Sequence, residues 1–299
     1  MKKLIEYIAE AEKGGYALGH FNFSDLATLK GIVSGFEKAQ KEISGEIALI
    51  VGLSGGERDF IGSRQAVSLV KSYREAGLPV FLNADHTKSL EKAIEAAKDG
   101  FDAVLFDAGR EPIEKNIERT KEAVAAIREI DQGIVTEGEL GFLGEGSRIF
   151  SEIPEAADWS PEKMTTPEEA MRFVEETGVD LVAPAVGNIH GLIAEKGGVF
   201  ENPELDLDRI GRIKEAVVAA MVLHGGSGIK DEELKAAVSR GMVVVHISSE
   251  LRLAWRKGLE KSFAGDPGEI APYKLLRPST EAIADMVFQK LKLLNSVLY

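Results

Sequence analysis

The chain has 299 residues, no cysteine and a formal net charge of −13. The lack of cysteine excludes disulfides, thiolate metal ligands and a cysteine nucleophile, and the acidic balance excludes the basic surface that nucleic-acid binding needs. No stretch approaches the roughly 18 apolar residues that span a membrane, and the acidic start MKKLIEYIAEAEKGG is unlike a signal peptide, so no nucleic-acid partner, no membrane and a cytoplasmic location are expected.

Eight apolar runs follow one another: YALGHFNF, EIALIVGLS, PVFLNAD, DAVLFDA, GIVTEGELG, DLVAPAVG, AMVLHGG and MVVVHIS. They are short, rich in Val, Ile, Leu and Ala and mostly not alternating, as parallel strands buried on both faces should be. Helical patterns such as SLEKAIEAAKDG and TPEEAMRFVEETG lie between them. In the second, Thr166 is placed to cap, Pro167 to fill the first turn and Gly178 to stop the helix. Strands alternating with helices predict an α/β fold, a closed (β/α)8 TIM barrel forming one domain over residues 1–299. The rival, an open doubly wound sheet, lacks a GxGxxG at the start of its first helix.

Two segments break the rhythm. Residues 142–164 form a long connection with Gly144, Gly146, Pro154 and Pro161, expected to act as a lid or catalytic loop. Residues 263–299 form a C-terminal extension. Its amphipathic last helix, STEAIADMVFQKLKLL, is expected to pack on the barrel or on a neighbouring subunit.

All five histidines (His20, His86, His190, His224 and His246) fall at or just beyond the C-terminal end of an apolar run. Ligands in parallel α/β folds gather at strand C-termini, and imidazole is the commonest metal-binding side chain. Neighbouring strand residues point to opposite faces, so Asp85 and His86 reach one site only where the strand ends and the chain turns. His86 then reads as a metal ligand and Asp85 as a carboxyl group able to shuttle a proton. A helix-capping aspartate beside a packed histidine is the alternative. His86, His190 and His224, from three strand ends, match an open zinc site. The HGGSG run at 224–228 adds backbone amides and the Ser227 hydroxyl ahead of a helix, a cradle for phosphate.

NADH at 83–86, EGELG at 137–141, NIHG at 188–191, LHGGSGI at 223–229 and HISSEL at 246–251 resemble the class II, zinc-dependent fructose-bisphosphate aldolase family in the right order along nearly the whole chain. The resemblance implies that His86, His190 and His224 ligate Zn2+, and that Asp85 is the acid/base for the aldehyde-derived hydroxyl. Glu139 and Asp107 match acidic positions that contact a displaced metal ion. Gly191, Gly225, Gly226, Ser227, Ser248 and Ser249 match the cradle for the phosphate of dihydroxyacetone phosphate, with a monovalent cation (Na+ or K+) near it. Asn22 matches a substrate-loop position, and Ser54, with Gly55 and Gly56, a contact to the substrate's other end. Homodimers or homotetramers are also implied. The implied reaction is reversible cleavage of a phosphorylated ketose, fructose 1,6-bisphosphate first, to dihydroxyacetone phosphate and glyceraldehyde 3-phosphate. Tagatose 1,6-bisphosphate, another phosphorylated ketose, or binding with altered or lost catalysis are the alternatives. A metal-dependent hydrolase on the same barrel is disfavoured, because the first strand carries HFN and not an HxH pair.

Three positions depart from the family pattern. His246 replaces the usual asparagine that helps hold the enediolate. In the mobile loop, Glu145 lies two positions before the family's proton-abstracting glutamate, where this chain has Ser147; Glu145 is the candidate base, with Glu152 behind it. Glu260 replaces a basic residue for the distal phosphate, leaving Arg256, Lys257 or Lys261 to supply that charge, in the family from a neighbouring subunit. His20 reads as structural.

Overall fold

The computed structural model describes residues 1–141, 143–144, 146, 149–150, 162–194 and 202–298. Its strands are β1 (Leu18–Asn22), β2 (Leu49–Leu53), β3 (Val80–Thr87), β4 (Ala103–Phe106), β5 (Val135–Leu140), β6 (Ile149–Phe150), β7 (Leu181–Pro184), β8 (Leu192–Ile193), β9 (Ala220–Leu223) and β10 (Met242–Ile247). All except β6 and β8 form a closed parallel barrel in chain order, β10 returning to pair with β1. The helices before β6 are α1 (Leu4–Gly14), α2 (Leu26–Gln40), α3 (Gly55–Ile61), α4 (Ser63–Glu75), α5 (Leu90–Asp99) and α6 (Ile113–Ile130). After it come α7 (Pro167–Thr177), α8 (Leu207–Ala216), α9 (Asp231–Ser239), α10 (Ser249–Gly265), α11 (Pro272–Leu275) and α12 (Arg277–Leu294). The chain therefore forms the (β/α)8 barrel that its apolar runs predict.

Local chemistry fixes the element ends. Asp25 and Ser89 cap α2 and α5 by accepting from Thr28 N and Lys92 N. Thr166 and Glu169 form a reciprocal capping box on α7, Pro167 opens it, and Gly178 closes it in the left-handed region. Barrel strands are buried along their length, so they read as continuous apolar runs. In the C-terminal extension, Ile283, Val287, Leu291 and Leu294 of α12 are buried in the common core, where α12 lies along α2 and α10. Among the described residues no helix is long and apolar enough to cross a membrane.

The long connection after β5 is tied down at two points among its described residues. β6 pairs with β8, Ile149 opposite Leu192, and His190 N donates to Leu143 O at 2.9 Å. The start of the loop is thus held against the segment after β7, over the barrel mouth.

Candidate metal and substrate site

Asp85 and His86 reach the site by a different route from the one the sequence suggests. β3 does not end at Asp85 but runs on to Thr87, and its pairing with β4 slips by one residue between Ala84 and Thr87. This bulge turns both side chains to the mouth. His86 sits inside it at φ 43°, a conformation that costs a non-glycine residue about 1–2 kcal/mol. A side chain kept there against that cost is consistent with a functional constraint.

Donor atoms of His86, Glu139, His190 and His224 lie within 4.8 Å of one another. Each imidazole is oriented from behind. His86 Nδ1 donates to Asp107 Oδ2 at 3.0 Å, and His190 Nδ1 to Gly144 O at 3.1 Å. His224 Nε2 donates to Glu137 Oε1 at 2.8 Å, which leaves His224 Nδ1 facing Glu139 Oε2 at 3.3 Å. His224 Nδ1 and Glu139 Oε2 are both buried with no hydrogen-bond partner. Buried polar atoms are rarely orphaned, and a cation between them would satisfy both. Carboxylates and carbonyls behind ligating imidazoles are the usual support of such a site, so the residues fit a divalent metal. Asp107 stands in that supporting row and is not among the grouped donors, whereas Glu139 is.

Electrostatics agree. Burial alone would lower His86, but Asp85, Asp107 and Glu139 more than offset it and bring its pKa up to about 9. Burial likewise works against a charged His224, yet its bond to Glu137 and the Glu139 carboxylate facing it hold it well above the ordinary imidazole value. His190, buried beside His86 and His224, is pushed down to about 3. Burial raises Glu139. The pocket thus concentrates negative charge that protons occupy when no metal does.

A stack of rings flanks the metal group. Register places His20 of β1 opposite His246 of β10. Their rings stack at 3.6 Å and 7°, and His246 stacks on His224 at 4.2 Å and 20°. Donor atoms of His20, Asp85 and His246 also cluster, but near-parallel imidazoles aim their in-plane lone pairs side by side and not at one point. We read them as a packed wall. Burial makes both rings neutral, lowering His20 to about 4 and His246 well below its ordinary value. His246 Nδ1 lies 3.6 Å from Asp85 Oδ1, and its Nε2 is buried without a partner. Gly52 of β2 makes room for this wall, since a Cβ there would overlap the His20 ring. Gly52→Ala is therefore expected to destabilise the fold by about 1–3 kcal/mol in urea unfolding; unaltered stability would show that His20 is not held where the stack requires.

The mouth opens into a cavity of about 1350 Å³. Asp85, His86, Glu139, His190 and His246 line it, together with Asn22, Ser54, Gly191, Gly225, Ser227, Ser248 and Ser249. Gly225 takes φ 62°, and a Cβ there would overlap Ile189 O, so only glycine fits this turn beside His190. Ser227 Oγ accepts from Glu250 N at 3.2 Å, and Ser248 Oγ is buried without a partner. Gly226 lies behind this wall, its N–H bound to His246 O at 2.9 Å. Asn22 Nδ2 donates to Asp85 Oδ2 at 2.9 Å and to Glu57 Oε2 at 3.1 Å. Burial would raise Asp85, but the charge on His86 and the nearby His246 imidazole hold it well below the usual carboxylate range.

The chain matches the family model described as fructose-bisphosphate aldolase class-II over residues 2–297. It belongs to the class II fructose-bisphosphate aldolase family. Among its relatives, the fructose-bisphosphate aldolase of Thermus caldophilus is 31% identical, covering 98% of this chain and 97% of the relative. The 6-phospho-5-dehydro-2-deoxy-D-gluconate aldolase of Shouchella clausii is 33% identical over 95% and 91%. The crystal structure of the YdjI aldolase from Escherichia coli K12 superposes with a TM-score of 0.78 at 27% identity, covering 98% of this chain and 97% of that one. The present chain is thus an aldolase, a lyase of a metal-dependent family acting on phosphorylated sugars.

Within this aldolase, the expected base Glu145 and its reserve Glu152 lie outside the described residues. Arg256 projects from α10 and pairs with Glu260 at 2.8 Å; it does not line the cavity, so a role at the distal phosphate would require another subunit. Sequence reasoning passed over Glu137, Glu57, Arg58 and Arg252. Glu137 was legible: Glu137 and Glu139 are two apart on one strand and must face the same way. Arg252 closes the first turn of α10, donating to Glu57 Oε1 at 2.7 Å, a partnership between distant segments that no local pattern announces.

Proposed function

We propose that this aldolase reversibly cleaves a ketose 1-phosphate into dihydroxyacetone phosphate and an aldehyde, with zinc held by His86, His190 and His224. The observation that carries the reading is the convergence of these imidazoles and Glu139 beside a depressed, cavity-facing Asp85. Three nitrogens with an open position suit zinc. When bound, the metal supplies Lewis-acid stabilisation for the negative charge that develops at the ketone oxygen.

The chain's own residues do the rest. The Asp85 carboxylate takes the proton of the C4 hydroxyl as the C3–C4 bond breaks. The C4 carbon leaves as an aldehyde, and the electron pair stays with the three-carbon half as an enediolate. His246 Nε2 borders that half, in the place of the family's asparagine. Glu145 returns a proton to C3. Gly191, Gly225, Ser227, Ser248 and Ser249 hold the shared phosphate, with Na+ or K+ beside it by the family resemblance. A homodimer or homotetramer in the cytoplasm completes the reading.

Fructose 1,6-bisphosphate is the substrate the family name favours, with its tagatose epimer the next comparison. The Shouchella relative's name ends in a gluconate, so relatives with different far ends share one phosphorylated head. Release of dihydroxyacetone phosphate from fructose 1,6-bisphosphate, coupled to NADH oxidation, tests the reaction. Chelation is expected to reduce turnover by about 10²-fold or more, and added zinc to restore it. Turnover indifferent to chelation would contradict the reading.

A further inference from the structure

In the part of the cavity formed by α3 and α10, four donors already converge on a carboxylate that the chain supplies itself. Glu57 Oε1 accepts from Arg252 at 2.7 Å. Glu57 Oε2 accepts from Ser54 N and Ser54 Oγ, each at 2.8 Å, and from Asn22 Nδ2 at 3.1 Å. Ser54 and Asn22 are the groups the family resemblance assigns to substrate. A phosphate dianion placed against them would meet the Glu57 charge or have to displace it. Most other cations of the cavity are paired too: Arg64 with Asp99 at 3.0 Å, Lys92 with Glu95 at 2.7 Å and Arg119 with Glu111 at 3.2 Å. Lys88 and Arg110 are engaged as well.

Arg58, on the first turns of α3, differs. It is largely buried yet lines the cavity, and among the described residues no side chain hydrogen-bonds or ion-pairs with its guanidinium. Burial lowers its pKa, and Asp85 is the charge that acts on it most strongly from the other side, although arginine stays protonated throughout. A partly desolvated guanidinium without a fixed counter-charge is a binding group for an anion. One positive charge in a planar fork matches a carboxylate in both charge and shape.

We propose that the far end of the substrate is a carboxylate bound by Arg58, so that the aldehyde product is an aldehyde acid and not an aldehyde phosphate. The inference rests on the aldolase reading above. Glu57 acts as the selectivity element, neutralising the subsite that would otherwise hold a second phosphate.

The test is condensation of dihydroxyacetone phosphate with a tetrose, its 4-phosphate and the corresponding aldehyde acid, matched in carbon number, on the metal-loaded enzyme. The wild type is expected to favour the acid over the phosphate by about tenfold or more in kcat/KM. Arg58→Met should lower the acid-to-tetrose ratio by about tenfold or more, and Arg58→Lys should restore only part of it, because an ammonium lacks the fork. Glu57→Gln should raise the phosphate-to-acid ratio, a gain that misfolding cannot mimic. Preference for the tetrose phosphate in the wild type, or an acid-to-tetrose ratio insensitive to Arg58→Met, would overturn the carboxylate assignment while leaving the aldolase standing. Condensation with none of the three, the neutral tetrose included, would overturn the aldolase reading and this inference with it.

Discussion

His224→Ala is expected to abolish tight metal binding and to lower cleavage by about 10³-fold or more, since the Lewis acid contributes several kcal/mol to the transition state. His224 makes the sharpest probe because it is fully buried between two carboxylates, Glu137 at 2.8 Å and Glu139 at 3.3 Å. Removing the imidazole leaves both without their partner. Glu137→Gln offers a graded version. It keeps a group behind His224 but removes the negative charge, and comparable substitutions behind a ligand cost about 10–100-fold in metal affinity. Metal analysis after dialysis should therefore give about one ion per chain in the wild type, fewer in Glu137→Gln and none in His224→Ala. Full metal content in His224→Ala, with the fold checked by circular dichroism, would remove this residue from the ligand set.

Asp85→Asn is expected to lower cleavage by about 10²–10⁴-fold, the usual worth of a positioned acid or base, while the protein still retains its metal. Asp85 lies next to His86 in the bulge but is not among the grouped donors with Glu139. Asn22 holds its Oδ2 at 2.9 Å, and its Oδ1 is buried without a hydrogen-bond partner. That free oxygen, kept ionised by His86 and His246 against the pull of burial, can accept the hydroxyl proton. An amide there cannot. Cleavage in Asp85→Asn within a few-fold of the wild type would assign the proton transfer to another group.

The barrel was legible because its strands are buried on both faces and interrupted by strong punctuation, such as the Thr166, Pro167 and Gly178 set around α7. The convergence of His86, His190 and His224 was legible because each follows its own apolar run. The route by which Asp85 and His86 enter together was not. A glycine marks the bulge class that needs a positive φ, and here His86 takes that φ itself. The stack of His20, His246 and His224 depends on register between β1, β10 and β9, which no single segment carries. Glu57 illustrates the same limit. Within SGGERDF it is a helix-capping glutamate, yet the same carboxylate also draws in Arg252 from the far end of the chain. A substrate-binding serine in the family pattern thereby becomes part of an internal network.

The most direct test of the central claim uses only the half-substrate common to every candidate. Metal-loaded protein is incubated with dihydroxyacetone phosphate in D2O, and the carbon-bound protons are followed by NMR. A metal centre on His86, His190 and His224 with a phosphate cradle beside it predicts stereospecific loss of one proton from the hydroxymethyl carbon, abolished by chelation and restored by zinc. No exchange above the buffer rate, in protein shown to hold its metal, would contradict the account.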